Sequence, residues 1–310
     1  MPARVHGRRT RWCLWLVLLA GLGVVTGCEP PDTPPALAQR TPEPLLDLLA
    51  PDTVRTERIG AGVWYQYLWS GEGPWAVHLV EVDLGRCDLA LRTLRARARE
   101  AGGRGREAVS SMARRAPDGV LAAVNADFFT GEGAALGTEV ASGRVTTVRE
   151  RPSLAWRPGR LPWIGTVRVQ GDSLWAGWLL GADDGETEVV GGFPELLDRG
   201  RVVGDLGVSA RPAFAAVRQP RTGVGVDPLR NRLWLVVVDG RRPSHSVGMS
   251  LPELAEVFQA LGAREALNLD GGGSSVMVVR GETRSRPSEE EERSVVNALA
   301  VVRDLSGCPR

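Results

Sequence analysis

Between Asn268 and Met277 the chain reads NLDGGGSSVM: one carboxylate, Asp270, then Gly271, Gly272 and Gly273, then the hydroxyls of Ser274 and Ser275. Three consecutive glycines are costly to order, because glycine loses more backbone freedom on folding than any other residue. A chain keeps them where backbone approaches a ligand closely, or where several N–H groups converge on an anion. The same segment without a ligand is a glycine-rich turn between two strands. Two more carboxylates end apolar runs: Asp239 closes Leu233 to Val238, and Asp127 follows Val120 to Val124 through Asn125 and Ala126. Each can build a site at a sheet edge or cap its strand as a simple turn residue. All 38 basic residues are arginine. The absence of lysine excludes lysine Schiff-base and Walker-type phosphate chemistry.

Regular elements must carry these residues. Val63 to Leu68 and Trp75 to Leu84 are rich in β-branched and aromatic residues around the turn Ser70 to Pro74, which predicts a hairpin. Leu89 to Leu94 and Val120 to Val124 read as further strands, Arg95 to Arg106 as an exposed loop and Ala108 to Arg115 as a short helix. Glycine punctuation from Leu136 to Asp205 suits an antiparallel layer of short strands. Thr222 to Val226 and Leu233 to Val238 form a second strand–turn–strand unit, the latter strand apolar on both faces and therefore central. Ser250 as N-cap, Pro252 just inside and Glu253 at the third position predict a capping box. Leu251, Leu254, Ala255, Phe258 and Leu261 then make one apolar stripe, ended by Gly262. Ala266 to Leu269, Ser275 to Val279 and Arg293 to Val302 complete the strands. A strand–helix–strand unit crosses over right-handedly and sets its strands parallel, which brings Asp239 and Asp270 to one sheet edge if the two strands are neighbours. The expected fold is α+β, α/β-like in its C-terminal part, with a mixed sheet, packed helices and an additional antiparallel layer.

The N-terminal 27 residues read as a signal peptide: Arg4, Arg8, Arg9 and Arg11, then the apolar run Trp12 to Val25, too short for a confident membrane span. Val25 to Cys28 (VTGC) resembles a bacterial lipobox, which makes Cys28 the lipidation site. Residues 28–51 are proline-rich and read as an extended tether. The expected protein is thus exported and lipid-anchored to the bacterial cell envelope. Cys87 and Cys308 remain as a candidate disulfide, and no cysteine spacing fits zinc. The chain carries a net charge of +1, and four arginines leave with the signal, so the remainder is near −3 and offers no electrostatic footprint for nucleic acid. No protein partner is inferred.

Taken in order, NADFF, GGFPELL, RTGVGV, VVVDGR, SVGMSLPELAEVFQALGAREALNLDGGGSSVM and ERSVVNALAVV resemble the phosphodiester glycosidase family, over about Val120 to Val302. The resemblance implies a domain at 120–304, preceded by an N-terminal β-rich part at 52–119 and followed by a tail at 305–310. It implies hydrolysis of a sugar 1-phosphodiester at the glycosidic C–O bond, with an envelope polysaccharide or sugar-phosphodiester as substrate. The alternatives are a non-catalytic glycan-binding lipoprotein and a phosphodiesterase that cuts P–O. Two carboxyl groups usually flank an oxocarbenium-like transition state in glycoside hydrolysis. Asp270 is the leading candidate, followed by Asp239 and Asp127, with Glu139 a weaker acid. The leaving phosphate needs its charge neutralised, which suits an arginine fork: Arg221 first, then Arg241 and Arg293. The N–H groups of Gly271 to Ser274 would nest the phosphate. Asn125 and Asn297 read as positioning amides, and His245 as a binding residue. No cofactor is expected, although three aspartates at one edge would also suit a hard cation such as Ca²⁺. Related sequences commonly carry glycines where this chain has Ala126 and Asp127, so the carboxylate there bears on which sugar is accepted.

Overall fold

The computed structural model describes residues 40–306 and Cys308, apart from Asp118, Asp172 and residues 181–184. The signal segment, Cys28 and the tether up to residue 39 lie outside the described residues. Eight strands form the larger sheet, in the spatial order Thr53–Gly60, Val63–Ser70, Trp75–Asp83, Arg232–Val238, Arg221–Asp227, Glu265–Asn268, Glu195–Asp198 and Arg201–Val202. A second sheet orders Glu282–Thr283, Met277–Val279, Val120–Asn125, Asn297–Arg303 and Leu89–Arg95. Every hydrogen-bonded neighbour in both sheets is antiparallel. The architecture is α+β, with a further five-stranded antiparallel layer running from Glu139–Ala141 to Glu188–Gly191 and a small three-stranded sheet.

Side chains alternate faces along a strand, and Arg232–Val238 shows the consequence. Leu233, Leu235 and Val237 enter the core between the two sheets with Val80, Val124 and Leu299. Val236 and Val238 face the other way, onto Leu254, Phe258 and Leu261 of the helix Leu251–Leu261. That helix has the expected capping box: Ser250 Oγ accepts from Glu253 N at 3.3 Å, and the Glu253 carboxylate accepts from Ser250 N at 2.8 Å. Phe258 explains the glycines of RTGVGV. A Cβ on Gly223 or Gly225 would lie 2.8 or 2.5 Å from its ring atoms, so the bare strand is the seat of the helix.

The crossover works as expected in direction but not in adjacency. Arg221–Asp227 pairs antiparallel with both Arg232–Val238 and Glu265–Asn268, so those two strands run parallel as second neighbours. Asp239 and Asp270 therefore leave the same edge with one strand between them.

Two expected irregular stretches are ordered. Within the expected tether, Glu43–Leu49 is a helix whose Leu45 and Leu49 are buried in the cluster beneath Leu251–Leu261. Four leucines in five positions outweigh the flanking prolines, and Pro44 sits in the first turn, where a missing N–H costs nothing. The stretch expected as an exposed loop, Arg95 to Arg106, contains the short helix Arg97–Glu100 and the buried Arg99, which pairs with the buried Glu139 at 2.7 Å. Cys87 and Cys308 form a disulfide across 221 residues of sequence. Among the described residues no helix is long and apolar enough to cross a membrane.

Candidate active site

Asp270 leaves the edge of the larger sheet and is held by the second one. Its N–H donates to Ala126 O at 2.8 Å, and Asn125 Nδ2 donates to its carbonyl at 2.5 Å. Asn125 Oδ1 in turn accepts from Thr222 Oγ1 at 2.8 Å and Val276 N at 3.1 Å. Asn125 is thus fully buried and joins the two sheets at the point where the glycine loop begins. Asn297, on the neighbouring strand, ties the second sheet to the five-stranded layer, accepting from Asp127 N at 2.9 Å and donating to Glu139 Oε2 at 2.6 Å. Both asparagines are buried, with their amides spent on protein partners.

The loop itself is a closed turn. Gly272–Ser274 is a 3₁₀ turn. Gly271 N donates to Asp270 Oδ1 at 2.9 Å, Gly272 N to Pro220 O at 2.8 Å, and Ser274 N to Gly271 O at 3.2 Å. Three of the four N–H groups expected to nest a phosphate are therefore already used, and the nest reading is corrected. The glycines serve close approach instead. Gly272 has φ +61°, and a Cβ there would lie 3.0 Å from Arg241 Nη2. A Cβ on Gly273 would collide with Arg293 and with its ion-pair partner Glu289. Two guanidinium groups rest on the bare turn.

Arg221 is corrected more fully. It is among the most buried side chains, and its Nε and Nη2 donate to the carbonyls of Met249, Phe214 and Val217 at 2.7 to 3.1 Å. Burial lowers its pKa to about 10, with the charge of Glu253 opposing. Its fork braces the approach to the loop and is not presented to a ligand. The guanidinium groups that do lie on the loop are Arg241 and Arg293.

The three aspartates have separate surroundings. Burial raises Asp270 to about 6 against the opposing effects of Ser274, Gly271 N–H and Arg293. The Ser274 hydroxyl is near enough to lower that value yet outside hydrogen-bond geometry, so Ser274 Oγ, like Ser275 Oγ and Asn268 Oδ1, is buried without a partner. Asp127 is 2% exposed and accepts from Gly137 N at 2.7 Å. Burial, and then the charge of Glu139, raise it to about 7 against that N–H. Asp239 lies elsewhere. Its Oδ2 accepts from His245 Nε2 at 2.9 Å and His78 Nε2 at 3.3 Å, its Oδ1 accepts from Arg286 N at 3.0 Å, and Tyr65 Oη lies 2.9 Å from His78 Nδ1. Burial alone would raise it, but the hydrogen bonds from His245, His78 and Arg286 outweigh that and hold it below the ordinary carboxylate range. No cluster of three metal-ligating side chains occurs among the described residues.

Sequence reasoning missed Tyr65, His78 and Arg286. The one legible signal was His78 itself, the polar side chain in the otherwise apolar run Trp75 to Val80 that opens the strand Trp75–Asp83. Strand alternation puts it on a buried face, where a histidine needs partners.

The phosphodiester glycosidase family model matches residues 118–302, more than half of the chain. A 76-residue segment is 40% identical to the bovine N-acetylglucosamine-1-phosphodiester alpha-N-acetylglucosaminidase, covering 24% of this chain and 14% of that protein. A 106-residue segment is 33% identical to an anthranilate phosphoribosyltransferase of Corynebacterium aurimucosum, over 30% of this chain and 31% of that one. The chain thus spans less than a third of each of these two relatives. Among solved structures, a hypothetical protein from Synechocystis matches with a TM-score of 0.66 at 20% identity, over 81% of this chain and 64% of that one. The catalytic domain of the zebrafish N-acetylglucosamine-1-phosphodiester alpha-N-acetylglucosaminidase matches with 0.60 at 21% identity, over 81% and 83%. These structural likenesses show the fold, and the family model covers every residue from Asn125 to Asn297 discussed above. The chain belongs to the phosphodiester glycosidase family.

Proposed function

We propose that the protein hydrolyses a glycosyl 1-phosphodiester at the glycosidic C–O bond, with Asp270 as the reacting carboxylate. The observation that carries this reading is the glycine turn beside Asp270, bare enough for Arg241 and Arg293 to lie on Gly272 and Gly273. Two guanidinium groups beside a carboxylate near 6 combine charge neutralisation with a base of useful strength at neutral pH. As water attacks the anomeric carbon, the C1–O bond to phosphorus breaks and its electron pair stays on the phosphate oxygen. Arg241 and Arg293 offset that developing charge. Asp270 takes the proton from the attacking water and returns it to the phosphomonoester. A phosphate is a good leaving group, so this scheme needs no strong general acid. Asp127, raised to about 7, faces Gly137 and is read as shaping the sugar side.

The reaction in ¹⁸O-labelled water tests the bond cleaved. Label in the released sugar supports C–O cleavage. Label in the phosphate would replace this reading with a phosphodiesterase, and tight binding without turnover of a panel of glycosyl phosphodiesters would replace it with a glycan-binding module. We also propose that Cys28 carries a lipid anchor that places the domain at the cell envelope. Mass spectrometry of the mature N-terminus checks this, and an unacylated Cys28 would remove the anchor from the reading.

A further inference from the structure

A cavity of about 520 Å³ is lined by Asp239 and the side chains around it. At its floor, Asp239 fixes His245 and His78 through Nε2, and Tyr65 closes the chain on His78. His78 and Asp239 are each 2% exposed. The rim carries Arg55, Arg284, Arg286 and Tyr67. Arg284 is engaged by Glu57 at 3.3 Å and lies over the Tyr65 ring. Arg55 and Arg286 are exposed and have no ion-pair partner among the described residues. Asp239 stays ionised at the floor with its oxygens taken by its own donors, and Glu57 is paired with Arg284, so neither carboxylate forms an ion pair with Arg55 or Arg286 among the described residues. The result is a pocket with two guanidinium groups outside any ion pair, the half-buried Tyr67, and His245, whose Nδ1 makes no hydrogen bond among the described residues. Such a set suits a sugar that bears an anion: arginine forks hold phosphate or carboxylate, and tyrosine rings offer apolar area with a polar tip.

The pocket adjoins the candidate active site. Arg241, which rests on Gly272, is two residues from Asp239, and two residues of chain span at most about 7 Å. We infer that this pocket is an accessory subsite for an anionic group, phosphate or carboxylate, on the saccharide next to the scissile bond. The substrate would then be an anionic glycan and not an isolated neutral glycosyl diester. The substrate part of this inference rests on the hydrolase reading above; the binding part does not.

Histidine NMR tests it without turnover. The sequence contains three histidines, and only His78 and His245 fall in the described domain, so ¹³C-histidine labelling of the full chain gives a simple spectrum, assigned with His245→Gln. Titration with inorganic phosphate and with glucuronate should shift the His245 signal saturably for at least one probe, and which probe succeeds distinguishes phosphate from carboxylate. Arg55→Gln with Arg286→Gln should weaken that binding by at least about tenfold, with the unliganded His78 signal unchanged as the check of folding. Asp270→Asn should leave it intact, which separates this subsite from the hydrolytic reading. The inference is overturned if neither anion shifts His245, if the double variant binds as wild type, or if neutral glucose shifts it equally.

Discussion

Asp239 and Asp270 end two parallel strands at one edge of one sheet, and both are mostly buried, yet their environments drive them in opposite directions. Asp239 receives two imidazole N–H groups and a backbone N–H, which outweigh burial and keep it ionised. Asp270 receives one backbone N–H, with its nearest charge at Arg293, and rises to about 6. Burial alone therefore does not decide which carboxylate is poised for proton transfer. The number of donors that aim at it does. The first region is a carboxylate spent on organising its neighbours, and the second is one left under-satisfied beside buried hydroxyls that also lack partners.

The largest effect should come from removing the under-satisfied carboxylate. Asp270→Asn should lower kcat by about 10³-fold or more with the fold intact, measured by turnover and thermal unfolding; near-normal turnover would dissolve the distinction between the two aspartates. Arg293→Gln should cost about 10²-fold in kcat, since it removes a donor that offsets charge on the leaving phosphate. If only KM moves, Arg293 binds ground state and transition state alike. A third measurement sharpens the same contrast: kcat/KM should rise with pH through about 6 and level off above it, as a base with the raised value of Asp270 requires. A limb that falls above pH 6 would instead make Asp270 an acid.

Stability should separate the two residues by sign, with a smaller effect. The folded state keeps the Asp270 proton up to about pH 6 while the unfolded chain loses it near 4, so wild-type stability declines as pH rises across that window. Asp270→Asn cannot ionise and should be more stable than wild type at pH 7 by about 1–2 kcal/mol, after allowance for partial exposure. Asp239 is depressed, so its contribution is present above the unfolded value near 4 and is lost as pH falls through the folded one. Asp239→Asn should therefore be less stable at pH 7, by about 1–3 kcal/mol, and approach wild type in acid. Unfolding curves at pH 3.5, 5 and 7 check both, and changes of the same sign would contradict the comparison.

Much of the frame was legible because it follows from local rules. The capping box at Ser250, the two-faced apolar strand Arg232–Val238 and the crossover that aligns Asp239 with Asp270 all follow from period and end signals. What was not legible depends on the third dimension. An arginine that starts a glycine motif can brace carbonyls or grip phosphate, and only the positions of Met249, Phe214 and Val217 decide for Arg221. Three glycines can nest an anion or make room for side chains, and the register of Pro220 against Gly272 decides that. The Tyr65–His78–Asp239–His245 chain joins segments more than 150 residues apart, through partners that no spacing rule connects.

The bond between Cys87 and Cys308 makes the chain between them a covalent ring. Asn125, Asp127, Arg241, Asp270, Arg293 and Asn297 all lie inside that ring, whereas Arg55, Tyr65, Tyr67 and His78 lie on the linear stretch that precedes it. A single proteolytic cut in one of the ring's exposed turns would open it without releasing a fragment, and all the groups around Asp270 would stay on one disulfide-linked molecule. A cut between His78 and Cys87 would instead free the strands that line the accessory pocket from any covalent tie to the rest. The covalent frame thus treats the two regions unequally: the residues around Asp270 all lie within the ring, whereas the proposed accessory pocket draws Arg55, Tyr65, Tyr67 and His78 from outside it and Asp239, His245, Arg284 and Arg286 from inside.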